Sequence, residues 1–346
     1  MDEKKVENTA VILNANARKV TRKIKRQTEQ FIPKAQLYVS HSYDEARTAI
    51  SDIVEKGYQT VFCGGGDGTL VNTITQFKEY IDQKNKEVQS AVAQYKFPTL
   101  GVLKLGTGNG ISGMIGNPKG LSPLRSFNSG EKSSLMKLNL IESEKKQFHF
   151  AGLGWDAAII NDYHAMRERF SKVLVAGRLM EGFRGYIASM AVKTVPRELF
   201  RRRPPNVRVI NEGDQVYNMR LNKPAELMQY KRGDTIYEGP VSVLGAGTSP
   251  FYGYNLVAFP FARLKEGYMN FRIINAGVVE CVMRSPWIFR GRYQSKNFLD
   301  FLATKVRMEF DQPMPLHIGG DASGYRESIT FSMSDLSVNI LDYSRA

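Results

Sequence analysis

Cysteine is nearly absent: Cys63 and Cys281 are the only two in 346 residues. That excludes a disulfide framework and a multi-cysteine metal site, and it suits a reducing cytoplasm. Histidine is almost as scarce. His41, His149, His164 and His317 show no metal-ligand spacing, and no serine or cysteine elbow accompanies them; only His317 is set apart, by its place close before Asp321. Long apolar runs are missing too. No stretch reaches membrane-spanning length, and the first residues, MDEKKVENTA, are polar and mixed in charge, unlike a signal peptide. Acidic residues fall short of basic ones, 34 against 48, leaving a net charge of +14. Such a chain seeks anions: nucleic acid, an anionic membrane surface or phosphorylated ligands. No nucleic-acid module accompanies the charge, so no nucleic-acid partner is expected.

Glycine, by contrast, is concentrated where it matters. Residues 61–71 read VFCGGGDGTLV: three apolar residues, Gly64, Gly65 and Gly66, then Asp67, Gly68, Thr69 and a resumed apolar pattern. This spells a buried strand, a glycine turn and a helix start. Glycines permit positive φ and close approach of a ligand, and the free N–H groups of the next helix favour an anion such as phosphate. Asp67 beside a phosphate would repel it unless it binds a cation or accepts a proton, which suggests phosphate chemistry rather than anion storage. No lysine followed by Ser or Thr succeeds the glycines, and their spacing is not that of a dinucleotide fold.

The rest of the chain supplies the frame. Residues 9–14 form a first strand; 17–31 are basic and helix-permissive; 36–40 form a second strand. Ser42 and Glu45 have capping-box spacing ahead of a helix that Gly57 ends. A helix follows the glycine turn to about Ile81, then a polar linker over 82–96, a strand over 99–103 and a second glycine loop, Gly106-Thr107-Gly108-Asn109. The alternation predicts a parallel sheet covered by helices, with both glycine loops beyond the strand ends where ligands bind. From about residue 135 short strand candidates dominate, interrupted by a helical stretch over 157–193; they predict an antiparallel β-rich second domain. The expected layout is an α/β domain over 1–134 and a β-rich domain of sandwich type over 135–346, whose last strands can return to the first. Between residues 165 and 203, ten Lys or Arg stand against three Glu, a surface suited to anionic lipid.

These motifs together resemble the diacylglycerol kinase and sphingosine kinase superfamily of lipid kinases, which includes NAD kinases. GGGDGTL at 64–70 is that superfamily's nucleotide loop and LGTGN at 105–109 its second loop. GLGWDA at 152–157 resembles the motif opening the second domain, FYGYNLVAFPFARLKEG at 251–267 matches a glycine, proline and alanine pattern, and IGGD at 318–321 falls where these kinases carry Asp-Gly-Glu. The resemblance spans nearly the whole chain and identifies it as a divergent, bacterial-type member.

The resemblance implies an ATP-dependent lipid kinase with Mg²⁺, acting at the membrane from the cytoplasm on a diacylglycerol- or sphingoid-like hydroxyl. ATP would lie between the domains on Asn14, Gly64, Gly65, Gly66, Gly68, Thr69, Gly106, Thr107, Gly108 and Asn109. Asp321 corresponds to the proton-accepting base, with Asp67 the second catalytic candidate and Asp156 facing the acceptor headgroup. No metal ligand is assigned, and a homodimer is allowed. Departures are visible: the usual Asn-Pro-x-Ser-Gly is Asn14-Ala15-Asn16-Ala17, an expected aspartate is Asn139, and Asp-Gly-Glu is Gly319-Gly320-Asp321. Two alternatives stay open: a kinase of a soluble acceptor such as NAD, and a degenerate member that binds without turnover.

Overall fold

A computed structural model describes residues 6–88, 94–106, 110–116, 119–131, 133–160, 204–228, 230–253 and 255–344. The chain divides into two compact units: Met1–Leu140, Glu144–Phe148 and Ser334–Ala346 form the first, Ile141–Ser143 and His149–Met333 the second.

In the first unit, β1 (Thr9–Asn14), β2 (Leu37–Ser40), β3 (Thr60–Gly65) and β4 (Thr99–Lys104) pair in parallel in the order β2–β1–β3–β4. The helices are α1 (Arg22–Thr28), α2 (Tyr43–Glu55), α3 (Asp67–Glu87), α4 (Gly110–Met114) and α5 (Ser122–Asn128). β3 is buried on both faces. Val61 and Cys63 pack with Ile53, Ile74 and Phe77 on one side, while Phe62 packs with Leu103 and Leu124 on the other. A parallel strand between two layers has no solvated face, which is why this run is uniformly apolar. The registers Leu13↔Gly64 and Gly65↔Lys104 bring the carboxyl ends of β1, β3 and β4 to one edge.

Two helices depart from their expected limits. α1 starts only at Arg22, because Thr21 Oγ1 accepts from the N–H of Ile24 at 3.3 Å and fixes the N-terminus there. α3 runs past Ile81 to Glu87, taking in the first half of the expected linker. Lys78 pairs with Asp82 one turn on at 2.6 Å, and Lys84 reaches Glu55 of α2 at 3.3 Å. Contacts across the helix surface offset the lack of apolar residues there.

The chain continues through β5 (Ser134–Ser143), β6 (Lys146–Phe148), β7 (Phe150–Gly154), β8 (Asn206–Asn211), β9 (Val216–Met219), β10 (Glu226–Met228), β11 (Thr235–Pro240), β12 (Val243–Gly247), β13 (Phe251–Gly253), β14 (Leu256–Val257) and β15 (Met269–Ile274). Helices α6 (Val278–Met283) and α7 (Ser285–Phe289) precede β16 (Phe298–Ala303), β17 (Lys305–Ile318) and β18 (Asp321–Asp342). The second unit is antiparallel, in the order β10–β9–β16–β15–β12–β7–β17–β18, with β8 paired to β17 and β11. Where short strands are expected, β18 runs unbroken for 22 residues. β18 ends in the first unit, where Ile340 pairs in parallel with Leu100 of β4.

Opposite each other on β15 and β16, Arg272 and Asp300 make a two-pronged ion pair at 2.8 and 2.9 Å, both buried. Such a fork is satisfied in one register only. Residues 155–160 are helical; the remainder of the helix expected over 157–193, and the basic stretch 165–203, lie outside the described residues.

Candidate functional site

The glycine-rich edge of the first unit is built by three strand ends. Asn14 closes β1; its side-chain amide donates to Thr69 Oγ1 at 2.9 Å, and its carbonyl oxygen accepts from the N–H of Asn16 at 2.9 Å. Asn14 and Thr69, expected to share a ligand, therefore touch each other. They line one side of a cavity of about 160 Å³ with Ser40, Ser42, Asn72 and Thr73. Gly66 is the N-cap of α3 and contributes no side-chain hydrogen bond to its first turn.

The glycines here serve close packing more than unusual backbone angles: Gly64, Gly65 and Gly106 have no positive φ. A Cβ on Gly65 would collide with the side chain of Thr69. One on Gly106 would strike the backbone of Gly66 and come within 2.9 Å of the carbonyl oxygen of Gly65. The two loops thus meet backbone to backbone, an approach only glycine allows. Cys63, just before them, is a core residue; burial pushes its thiol up to about 12.

Asp67 is only 8% exposed. Its carboxylate accepts from the N–H of Gly110 at 2.7 Å and of Ile111 at 3.4 Å, the first residues of α4. This binds the first loop to the helix that follows the second. Thr107, Gly108 and Asn109 of the second loop lie outside the described residues.

In the second unit three of the sequence motifs converge. β7 and β17 pair with Gly152 opposite His317 and Ala151 opposite Ile318. Asp156 Oδ2 accepts from the Tyr252 hydroxyl at 2.5 Å, and Asp156 Oδ1 from the N–H of Ala157 at 2.7 Å. The Tyr252 hydroxyl also meets Nε2 of His317, which lies 3.4 Å from Asp156 Oδ2. Tyrosine has one proton to donate, and it goes to Asp156. The His317 ring then supplies the proton to the tyrosine oxygen. A Cβ on Gly152 would run into all three side chains, so that glycine is the space the cluster occupies. Phe150 stacks on Tyr252, ring centres 4.8 Å apart, with Phe259 packed alongside.

Asp321 begins β18, paired with Ile318 across the turn Gly319-Gly320. Both glycines have positive φ, 59° and 87°, the geometry of a tight two-residue hairpin. Asp321 is exposed, four residues beyond buried His317. Sequence reasoning missed Tyr252. It stood inside a quoted motif, but a tyrosine beside two glycines carries no signal until β7, β17 and the 251–253 strand are placed together. Among the described residues, no group of three or more His, Cys, Asp or Glu side chains could hold a metal ion.

The first unit is thus a parallel α/β body with two interlocked glycine loops, and the second an antiparallel one in which Asp156 and Tyr252 gather on buried His317. Residues 8–141 match the family model described as the diacylglycerol kinase catalytic domain. Three solved structures from Bacillus anthracis str. Sterne, assigned as diacylglycerol kinases, are similar in fold. The first has a TM-score of 0.62 at 13% identity over 98% of each chain, the second 0.62 at 13% over 99% of each. The third has 0.60 at 11% over 98% of each. No curated protein sequence matches the chain.

Proposed function

We propose that this protein is an ATP-dependent lipid kinase that transfers the γ-phosphoryl group to a hydroxyl of a diacylglycerol- or sphingoid-like lipid at a membrane surface. The observation that carries the reading is the interlock of Gly65–Gly66 with Gly106, which fixes the N-terminus of a 21-residue helix beyond the strand ends of a kinase-family domain. Its first N–H groups, with Asn14 and Thr69, bind the triphosphate; the second loop, through Asn109, approaches the nucleoside. Asp67 has its carboxylate occupied by backbone amides, so its part is to hold the two loops in register.

The proposal includes Mg²⁺ bound together with the nucleotide. Bound there, it would offset phosphate charge. The acceptor oxygen attacks the γ-phosphorus as the bond to the β–γ bridging oxygen breaks and ADP leaves. Asp321 takes the hydroxyl proton, and Asp156, with Tyr252, orients the acceptor headgroup. Phosphoryl transfer depends on positioning and charge stabilisation, and a base adds about 10²-fold.

The test uses radiolabelled ATP, Mg²⁺ and a total lipid extract, with wild type and Asp321→Asn. Label entering an organic-phase product, reduced about 10²-fold by the substitution, is the expected result. Label on added NAD, or nucleotide binding without transfer, overturns the lipid-kinase reading in favour of a soluble acceptor or a degenerate member.

A further inference from the structure

Helices α6 and α7 turn their apolar side chains the wrong way for a soluble surface. Cys281 and half-buried Ile288 anchor them to a core with Phe298. Val279, Val282, Met283, Trp287 and Phe289 point outward, Met283 being 70% and Trp287 50% exposed. Exposed apolar side chains scattered singly need no explanation, but five within eleven residues form a patch that marks an interaction site. Its rim is cationic: Arg284, Arg290, Arg292 and Lys296 are all exposed. The only carboxylate between residues 277 and 297 is Glu280. It is turned inward, accepting from Tyr293, Ser295 and Asn297 at 2.9–3.1 Å. Those hydrogen bonds, that of Asn297 foremost, hold it below the usual carboxylate range. Arg290 and Arg292 also flank a cavity of about 540 Å³ beside Phe289, Pro286 and Val257.

We propose that the α6–α7 surface docks on an anionic lipid bilayer. Met283, Trp287 and the two valines enter the interface, and the Arg290–Arg292 cavity receives a lipid phosphate. Charge complementarity selects this occupant. Apolar groups ringed by guanidinium and ammonium, with the one acid withdrawn, match the chemistry of an anionic interface. A second copy of the chain would bring the same positive rim against itself. The proposal rests on the membrane location in the lipid-kinase reading and assigns a docking surface to residues 279–296.

The chain has two tryptophans, so Trp155→Phe leaves Trp287 as sole reporter. The full-length variant is mixed with vesicles of phosphatidylcholine, alone or with phosphatidylglycerol, some carrying brominated acyl chains. Emission from Trp287 is expected to shift to the blue and be quenched by bromine on anionic vesicles only. Adding Arg290→Glu and Arg292→Glu, with the thermal midpoint unchanged, should weaken binding by at least about tenfold. Unchanged Trp287 emission while the protein sediments with anionic vesicles, no sedimentation, or lipid-free self-association that Met283→Ser abolishes each overturns the proposal. Phosphoryl transfer to a short-chain acceptor in solution, measured in parallel, separates the two readings. Transfer without Trp287 insertion overturns the docking surface alone, and insertion without transfer overturns the kinase reading alone.

Discussion

Asp67→Asn is the substitution whose sign distinguishes two roles for the same carboxylate. If the side chain faces a bound phosphate, neutralising it relieves repulsion, and the free protein loses nothing. The geometry argues otherwise. One oxygen lies 2.7 Å from the N–H of Gly110 and the other 3.4 Å from that of Ile111, in a site 8% exposed. Asparagine is the same size but has one acceptor and an amine that donates. Whichever way it is turned, one backbone donor loses its acceptor or confronts another N–H. Hydrogen bonds to a charged group are worth roughly 1.5–3 kcal/mol. Allowing for the one that survives in weakened form, the variant should lose about 2 kcal/mol. For a cooperative unit of this size that is a fall in thermal midpoint of roughly 4–8 °C.

The assay is calorimetry of the ligand-free protein beside titration with a non-hydrolysable ATP analogue. The expected result is a lower midpoint together with weaker nucleotide binding, because the start of α4 loses its tether to the first glycine loop. A midpoint unchanged or raised, with binding intact or tighter, would refute the inward role and return Asp67 to the reacting phosphate.

Two further predictions address other parts of the molecule. Gly106→Ala places a methyl group against the backbone of Gly66 and 2.9 Å from the Gly65 carbonyl, where no side chain can yield. Destabilisation of about 1–3 kcal/mol should accompany loss of nucleotide affinity, and titration showing wild-type affinity would contradict the interlock. His149 is fully buried, and burial lowers its pKa from 6.5 to about 3. Below pH 6.5 the unfolded chain therefore binds a proton that the folded chain refuses. Stability falls by up to about 1.4 kcal/mol per pH unit as pH drops towards 3, and is independent of this group above pH 6.5. Urea midpoints between pH 4 and 7 should fall more steeply for wild type than for His149→Gln; parallel slopes would remove His149 as the cause.

Legibility in the sequence followed the strength of local constraint. β1, β3 and β4 are readable because a strand buried on both faces must be apolar throughout, and the loops because Gly65 and Gly106 leave no room for a Cβ. β16, FLDFLA, carries little strand signal: it hides a buried aspartate whose partner, Arg272, lies 28 residues away on β15. A charge in a strand interior reads as exposed until its opposite number is placed. β17 and β18 are longer than the short strands the sequence predicts, for a related reason. Pro313 and Pro315 interrupt the first as a pattern, although register shifts near both absorb them. α6 and α7 lacked any signal, since their outward apolar residues invert the expected amphipathic sense.

The motifs also say less about turnover than their spelling suggests. Gly65, Gly106 and Gly152 are required because protein atoms fill the place of a Cβ: Thr69, the Gly66 backbone, and the Asp156–Tyr252–His317 cluster respectively. A signature made of such positions records how the scaffold closes on itself. A chain can retain every one of these glycines, and so the family's fold, while changing the groups that meet substrate. Under the proposed reading that is the pattern here: Ala15, Ala17, Asn139 and Asp321 depart from the motifs the chain resembles, while the packing glycines remain. On the proposed role of Asp156, acceptor identity is to be sought in what surrounds it and not in the glycines. Tyr252→Phe tests that contribution: it keeps the ring on Phe150 and removes both the proton given to Asp156 and the oxygen that accepts from His317. A shift in KM for the acceptor, with nucleotide affinity unaltered, would place the headgroup at this cluster; a loss of stability with acceptor KM unchanged would make the cluster purely structural.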